Sequence, residues 1–341
     1  MPGEAAAPVA ARGRSMTPHT TFYSEEAANR RYSLLLAAIV LVVLGGLGFA
    51  IGYGLTGSTS SAYVVVLGAV FLSLLLTAGS YFGGDSLVLG ASHARQVTRE
   101  QAPQLFDVVQ EMAVAAGVPM PRVFIIDDSA PNAFATGRDP KHASIAITTG
   151  LLQKLNREEL QGVIGHEMSH VRNYDIRFTL LVAVLVGSIA LLADFFLRFT
   201  FFGGGPRRGN DREGGGAIQL ILFVVAIVLA ILAPIFARLV QLAVSRQREY
   251  LADASSVELT RNPAGLERAL AKIASDQEVL EVANRATQHL YIVNPIKKFE
   301  SRAQGLFSTH PPIGDRINRL RQLTGDPPLD AAAMRQLQGL D

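Results

Sequence analysis

Apolar residues fall along this chain in two patterns, long unbroken runs and short periodic ones. Four runs reach the roughly 20 residues that a helix needs to cross a bilayer. They lie at 33–55 (SLLLAAIVLVVLGGLGFAIGYGL), 62–82 (AYVVVLGAVFLSLLLTAGSYF), 179–202 (TLLVAVLVGSIALLADFFLRFTFF) and 217–240 (AIQLILFVVAIVLAILAPIFARLV). The first two carry no charge and are joined by TGSTSS, which predicts a tight hairpin. The third contains Asp194 and Arg198, four residues apart near the far end of the helix, where they can pair and snorkel. Pro234 places a kink in the fourth, which membrane helices tolerate. The first run starts only near Ser33 and is too long for the h-region of a cleaved signal peptide. Residues 1–20 are rich in Ala, Pro, Gly and Arg and have no periodicity, so they read as a disordered tail.

The periodic segments predict a smaller, soluble part. Residues 99–116 form an amphipathic helix with Leu105, Val108, Val109 and Met112 on one face. PRVFIIDD (121–128) and HASIAITTG (142–150) are strands, rich in Ile and Val. NAFATG (132–137) is a third strand with the turn RDPK behind it. Asn156 opens a helix, with Glu159 three residues on in capping-box position. Further helices are expected at about 241–260, 263–275 and 312–323, and there is no internal repeat. The expected organisation is a tail (1–20), a membrane hairpin (21–83), the first part of a catalytic domain (84–178), a second membrane hairpin (179–240) and the rest of that domain (241–341). The fold class is an α+β membrane protein: a mostly helical domain with a small sheet, plus four transmembrane or membrane-embedded helices.

Composition narrows the chemistry. Charged residues make up 18 % of the 341, below the roughly 25 % of soluble domains, as the apolar runs require. The net charge of +2 leaves no large basic face for nucleic acid. There is no cysteine, so a metal site must be built from His, Asp or Glu.

Such a set occurs in the helix that Asn156 opens. GVIGHEMSHVRN holds His166, Glu167 and His170. Helical residues four apart share a face, so both imidazoles can bind one Zn²⁺ at about 2.0–2.1 Å. Glu167 sits on the flank, where it can hold a water at the metal and take its proton, leaving hydroxide to attack a peptide carbonyl. A buried helix face with two histidines needs a partner for both rings, and a metal supplies it. Gly165, just before the motif, leaves room for close packing.

A catalytic zinc takes three protein ligands and keeps the fourth place open. Asn173 and Ile176 stand where a metzincin would carry glycine and histidine, which excludes that class. Asp175 is close in sequence, but it would have to turn back from the helix end. The better candidate is SRQREYLADASSVEL (245–259), where Glu249 and Asp253 share one face of a partly apolar helix. Glu249 can bind the metal, and Asp253 can accept the free N–H of a histidine ligand and orient it.

HEMSH on a helix, a membrane hairpin and SRQREYLADA together resemble the HtpX group of membrane zinc peptidases, which is related to the CAAX prenyl proteases. NAFATG resembles the edge strand beside the cleft of that group, and STHPPIGDRINRL (308–320) its C-terminal His-Pro element. The likeness runs from about Thr21 to Leu323. It implies one Zn²⁺ per chain, with Glu249 as third ligand and Asp253 as the acid behind a histidine. It also implies that Asn132, Ala133 and Phe134 lie on a strand that binds extended peptide by strand addition. In related zinc peptidases a histidine or tyrosine donates to the oxyanion, a role open to His310. The alternative for His310 is a structural cap on the helix that Pro311 and Pro312 begin.

The function expected is a zinc-dependent membrane endopeptidase, by resemblance in membrane protein quality control. Its partners would be protein or peptide substrates, membrane proteins among them, and the lipid bilayer. One alternative is a narrow-specificity processing peptidase. Another is a non-catalytic membrane protein, whose mark would be a broken HExxH or a lost third ligand; both are intact. Arg30 and Arg31 precede the first run, and Arg95 and Arg99 follow the second, while TGSTSS has no charge. The positive-inside rule then places residues 83–178 and the metal site in the cytoplasm, in a multi-pass protein of the cell membrane.

Overall fold

The computed structural model describes residues 56–180, 248–276 and 311–330 continuously, with scattered positions elsewhere. The tail, His310, Pro234, the Asp194–Arg198 pair and nearly all of the third and fourth apolar runs lie outside the described residues.

The second apolar run begins a 33-residue helix, α1 (Thr59–Ala91), with Ser58 as its N-cap. Val64, Leu67, Phe71, Leu74, Leu75 and Phe82 are exposed on it. Among the described residues no helix is long and apolar enough to cross a membrane; several side chains in the apolar half of α1 lie outside them. The helix also runs beyond the predicted end at 82. Its last turns are held because Val88 and Leu89 are buried in a core with Phe124, Phe134 and Ala146 of the sheet.

That sheet has four strands: β1 (Arg95–Gln96), β2 (Arg122–Ile126), β3 (Ala133–Gly137) and β4 (Ala143–Thr148). Their order is β1-β2-β4-β3, with β2 and β4 parallel and the outer pairs antiparallel. The apolar strands are buried on both faces, as in parallel α/β sheets, and alternate residues go to different cores. Val123, Ile145 and Ile147 face one core, while Phe124, Ile126 and Ala146 face the other. The first core is completed by α2 (Pro103–Ala116), through the predicted stripe Leu105, Val108, Val109 and Met112. Two elements had no signal in the sequence, the two-residue β1 and the short α3 (Thr149–Lys154).

The helix α4 (Arg157–Arg172) carries the HEMSH motif and starts with the predicted capping box. Asn156 Oδ1 accepts from Glu159 N–H at 3.0 Å, and Glu159 Oε2 accepts from Asn156 N–H at 2.9 Å. Later in the chain come α5 (248–260), α6 (Pro263–Ser275) and α7 (Ile313–Thr324). Both α5 and α6 press on the glycine side of α4. A Cβ at Gly162 would stand 2.6 Å from the Leu266 backbone nitrogen, and one at Gly165 would stand 3.0 Å from Ser256 Oγ. Ser256 Oγ also donates to the Gly162 carbonyl at 2.7 Å. On its other side α4 approaches β3, whose residues facing that core are Ala133 and Ala135. Small residues on both sides let the motif helix sit close to its neighbours.

This packing makes a graded prediction. Gly162→Ala meets backbone atoms that cannot move independently, and should destabilise by about 1–3 kcal/mol although alanine favours helix. Gly165→Ala meets side-chain atoms, Ser256 Oγ and Thr260 Cγ2 at 3.2 Å, which can shift, and should cost less. Thermal unfolding of the two variants in detergent checks the order; equal melting points would refute it.

Candidate metal centre

Four elements converge at the C-terminal half of α4. The pairing of His166 with Asp253 and of both histidines with Glu249, beside that of Gly162 with Ser256, runs α5 antiparallel to α4. The His166 and His170 Nε2 atoms are 3.2 Å apart. Glu249 Oε2 lies 3.6 Å from His166 Nε2, and Glu249 Oε1 lies 3.6 Å from His170 Nε2. These three ligand atoms lie within 4.8 Å of one another. Two tetrahedral ligand nitrogens at zinc distance are separated by about 3.3 Å, so the donor set fits such an ion.

The opposite ring nitrogens are already committed. His166 Nδ1 is 2.9 Å from Asp253 Oδ1, and His170 Nδ1 is 2.9 Å from Asp175 Oδ2. With each Nδ1–H directed at a carboxylate, both Nε2 atoms offer lone pairs to the same point. Burial and the Arg316 charge push His166 down, against the pull of Asp253, and keep it the neutral imidazole a ligand must be. Burial also acts to lower His170, but the Asp175 hydrogen bond and the Glu249 charge outweigh it and hold the ring up at about 9. Asp175 and Glu249 thus favour positive charge at this point, as they would favour a bound cation.

Glu167 is buried beside the three. Its carboxylate accepts from the Ala135 backbone N–H of β3, and burial pushes it up to about 7. Its Oε1 is buried with no hydrogen-bond partner among the described residues. A buried carboxylate oxygen so placed is suited to receive a proton from a reacting water.

Asp253 is in turn gripped by Arg316 of α7, whose Nε donates to Oδ2 at 2.9 Å and Nη2 to Oδ1 at 2.7 Å. Burial would raise the Asp253 carboxyl; Arg316 and His166 overcome this and hold it below the usual range. Arg316 Nη1 also donates to the Ile292 carbonyl at 2.9 Å, and Ile292 N–H donates to the Ala133 carbonyl at 2.9 Å. One buried chain of contacts thus runs from His166 to the outer edge of β3.

Sequence reasoning missed Arg316. A signal for it exists: Ile313, Arg316, Ile317 and Leu320 form an i, i+3, i+4, i+7 stripe, with an arginine where the pattern calls for an apolar residue. Asp175 was weighed only as a ligand, and it stands instead behind His170, as Asp253 stands behind His166. On the edge strand, Asn132 N–H donates to Thr148 Oγ1 at 2.9 Å, and the buried Phe134 ring meets Tyr291 edge-on at 5.1 Å. His310 lies outside the described residues.

The chain is similar to known proteins over most of its length. Residues 99–324 match the model of Peptidase family M48. A "Protease HtpX homolog" of Streptococcus uberis is 45 % identical over 303 residues, covering 88 % of this chain and 99 % of that protein. The same name belongs to a Ligilactobacillus salivarius protein with the same identity and coverage. A third homolog, from Lactiplantibacillus plantarum, is 47 % identical over 304 residues, again covering 88 % of this chain and 99 % of its own length. The matched residues contain the helix with His166, Glu167 and His170, the helix with Glu249 and Asp253, and Arg316; the chain belongs to peptidase family M48 and is a metalloprotease.

Proposed function

We propose that this metalloprotease is a zinc-dependent endopeptidase that cleaves proteins at the cytoplasmic face of the cell membrane, in membrane protein quality control. The observation that carries the zinc reading is the aim of two Nε2 atoms and the Glu249 carboxylate at one point, with both Nδ1 atoms held by carboxylates. His166, His170 and Glu249 would hold the ion, which when bound supplies Lewis-acid polarisation of water and of the scissile carbonyl. Glu167 takes the proton of the attacking water and passes it to the leaving amine. Asp253 and Asp175 fix the two rings, and Arg316 fixes Asp253. An extended substrate would lie along the outer edge of β3, past Asn132, Ala133 and Phe134, taking the place of Ile292 at the Ala133 carbonyl. His310 remains the candidate donor to the oxyanion.

The membrane reading rests on the apolar runs, on the exposed apolar surface of α1 and on similarity to proteins named Protease HtpX homolog. His170 lies eight residues before Phe178, and Glu249 nine after Val240. At about 1.5 Å per helical residue, the centre is within roughly 15 Å of the start of the third apolar run. Such a centre suits substrates presented at the bilayer face.

Three tests separate these claims. Glu167→Gln should keep about one zinc per chain and lose casein cleavage, because it removes the base and spares the ligands; full activity would refute the assignment. Glu249→Ala should lose metal outright on dialysis, whereas Asp253→Asn and Asp175→Asn should each weaken retention or activity by about 10–100-fold. If Glu249→Ala held zinc like wild type and Asp175→Asn did not, the ligand assignment would pass to Asp175. For topology, a cysteine at Ser58 should react with an impermeant reagent on intact cells and one at Ser275 should not, a clean contrast in a chain without native cysteine. Labelling at Ser275 from outside would overturn the cytoplasmic placement and leave the chemistry standing.

A further inference from the structure

Two guanidinium groups converge where α1 meets the catalytic domain, and neither belongs to the metal centre. Arg138, just past β3, lies over the rings of Tyr81 and Phe82 at 5.9 and 5.5 Å. Arg177 lies over Tyr81 at 5.8 Å and over Tyr174 at 4.9 Å. Arg177 Nε donates to the Arg138 carbonyl at 2.7 Å, which ties the two together. Two like charges are thus brought to one aromatic ring. The counter-charge is thin: the carboxylate nearest Arg138 is Asp139 at 3.7 Å, and Asp139 is already engaged by His142 Nδ1 at 2.8 Å. Arg177 has no carboxylate partner among the described residues. Such a pair is stabilised by an anion from outside the protein.

The surroundings identify the kind of anion. Val64, Leu67, Phe71, Leu74 and Leu75 expose apolar surface along α1 that reaches Phe82, beneath Arg138, with Leu87 exposed on a later turn. Exposed Tyr63 stands at the other end, 19 residues away along the helix, about 28 Å at helical rise and close to the thickness of a bilayer's hydrocarbon core. From the middle of α1 toward the domain, the order is apolar surface, then Tyr81 and Phe82, then Arg138 and Arg177. That is the order of acyl chains, interfacial aromatic belt and phosphate headgroups.

We propose that Arg138 and Arg177, seated on Tyr81 and Phe82, bind the headgroup of an anionic phospholipid at the cytoplasmic leaflet. The inference rests on the membrane placement proposed above. Each guanidinium near a charged leaflet favours the anionic lipid by about fivefold, so the pair should give a preference of roughly thirtyfold. Arg138 follows β3, and Arg177 follows Asp175 by two residues, so a lipid held here also braces two parts of the metal centre.

The test uses the full chain in detergent micelles with tail-labelled phosphatidylglycerol or phosphatidylcholine. Wild type should bind phosphatidylglycerol more tightly by the factor above, and the double variant Arg138→Gln/Arg177→Gln should bind the two lipids alike. Arg268→Gln, an exposed arginine paired with Glu158, should keep the preference. Equal binding by wild type overturns the proposal, as does a preference that survives in the double variant. If the double variant does not fold, Arg138→Lys/Arg177→Lys, which keeps both charges, replaces it and should retain a preference of a few-fold; none at all overturns the proposal. Displacement of the lipid by equimolar soluble glycerol phosphate would show an anion site without lipid recognition, and also overturns it. Alkaline carbonate extraction of membranes separates the two readings: release of the chain refutes membrane placement, whereas retention without lipid preference refutes only the lipid site.

Discussion

Two histidines, two acids that face them and an arginine are buried together between α4, α5 and α7, and an interior admits such a group only if every charge finds an opposite. Arg316 balances Asp253, Asp253 and Asp175 each take a histidine N–H, and Glu249 faces both remaining nitrogens. One place is left that could hold a cation, between the two Nε2 atoms and the Glu249 carboxylate. The rest of the structure serves to bring these groups to that point. Removing one partner would leave an uncompensated buried charge, so the cluster acts as a unit and not as independent contacts.

Backbone proximity makes the cluster possible. Gly162 and Gly165 let α6 and α5 come against α4 at distances that a Cβ would forbid or crowd. The antiparallel run of α5 along α4 then sets Asp253 beside His166, and Glu249 one turn further, beside both histidines. On the opposite side, Ala133 and Ala135 let α4 approach β3 until the Glu167 carboxylate reaches a backbone N–H. Packing and this hydrogen bond together fix the strand proposed to bind substrate relative to the helix that bears Glu167. Arg316 closes the arrangement from the far side, through Ile292 to Ala133.

The same compactness relates the centre to the apolar surface of α1. Gly84 of α1 packs against Leu180, so the apolar helix and the segment that follows Asp175 touch directly. Arg138 and Arg177 occupy this junction, between the exposed apolar surface of α1 and the elements that carry the metal ligands. A peptidase built in this way has no long lever between the apolar surface of α1 and its candidate metal centre.

Much of this was legible in the chain because it is local. The capping box at Asn156, the i, i+4 pairs His166/His170 and Glu249/Asp253, the apolar stripe of α2 and the three main strands each depend on residues a few positions apart, where helix and strand geometry alone set the neighbours. The candidate metal ligands His166, His170 and Glu249, which the fold brings within 4.8 Å of one another, could be named for the same reason, since such chemistry needs particular residue types at particular spacings. What stayed hidden depends on chain segments far apart in sequence. Arg316 is 63 residues from Asp253, and no local pattern says which buried acid an arginine will reach. Asp175 is only five residues from His170, but the turn at Asn173 and Tyr174, the latter with φ of 60°, decides that it reaches Nδ1 and not the metal side. The burial of Phe134 against Tyr291, the extension of α1 to Ala91 and the meeting of Arg138 with Arg177 were likewise settled by packing. A residue's spacing determines what it can do, and only the folded neighbours determine which atom it does it to.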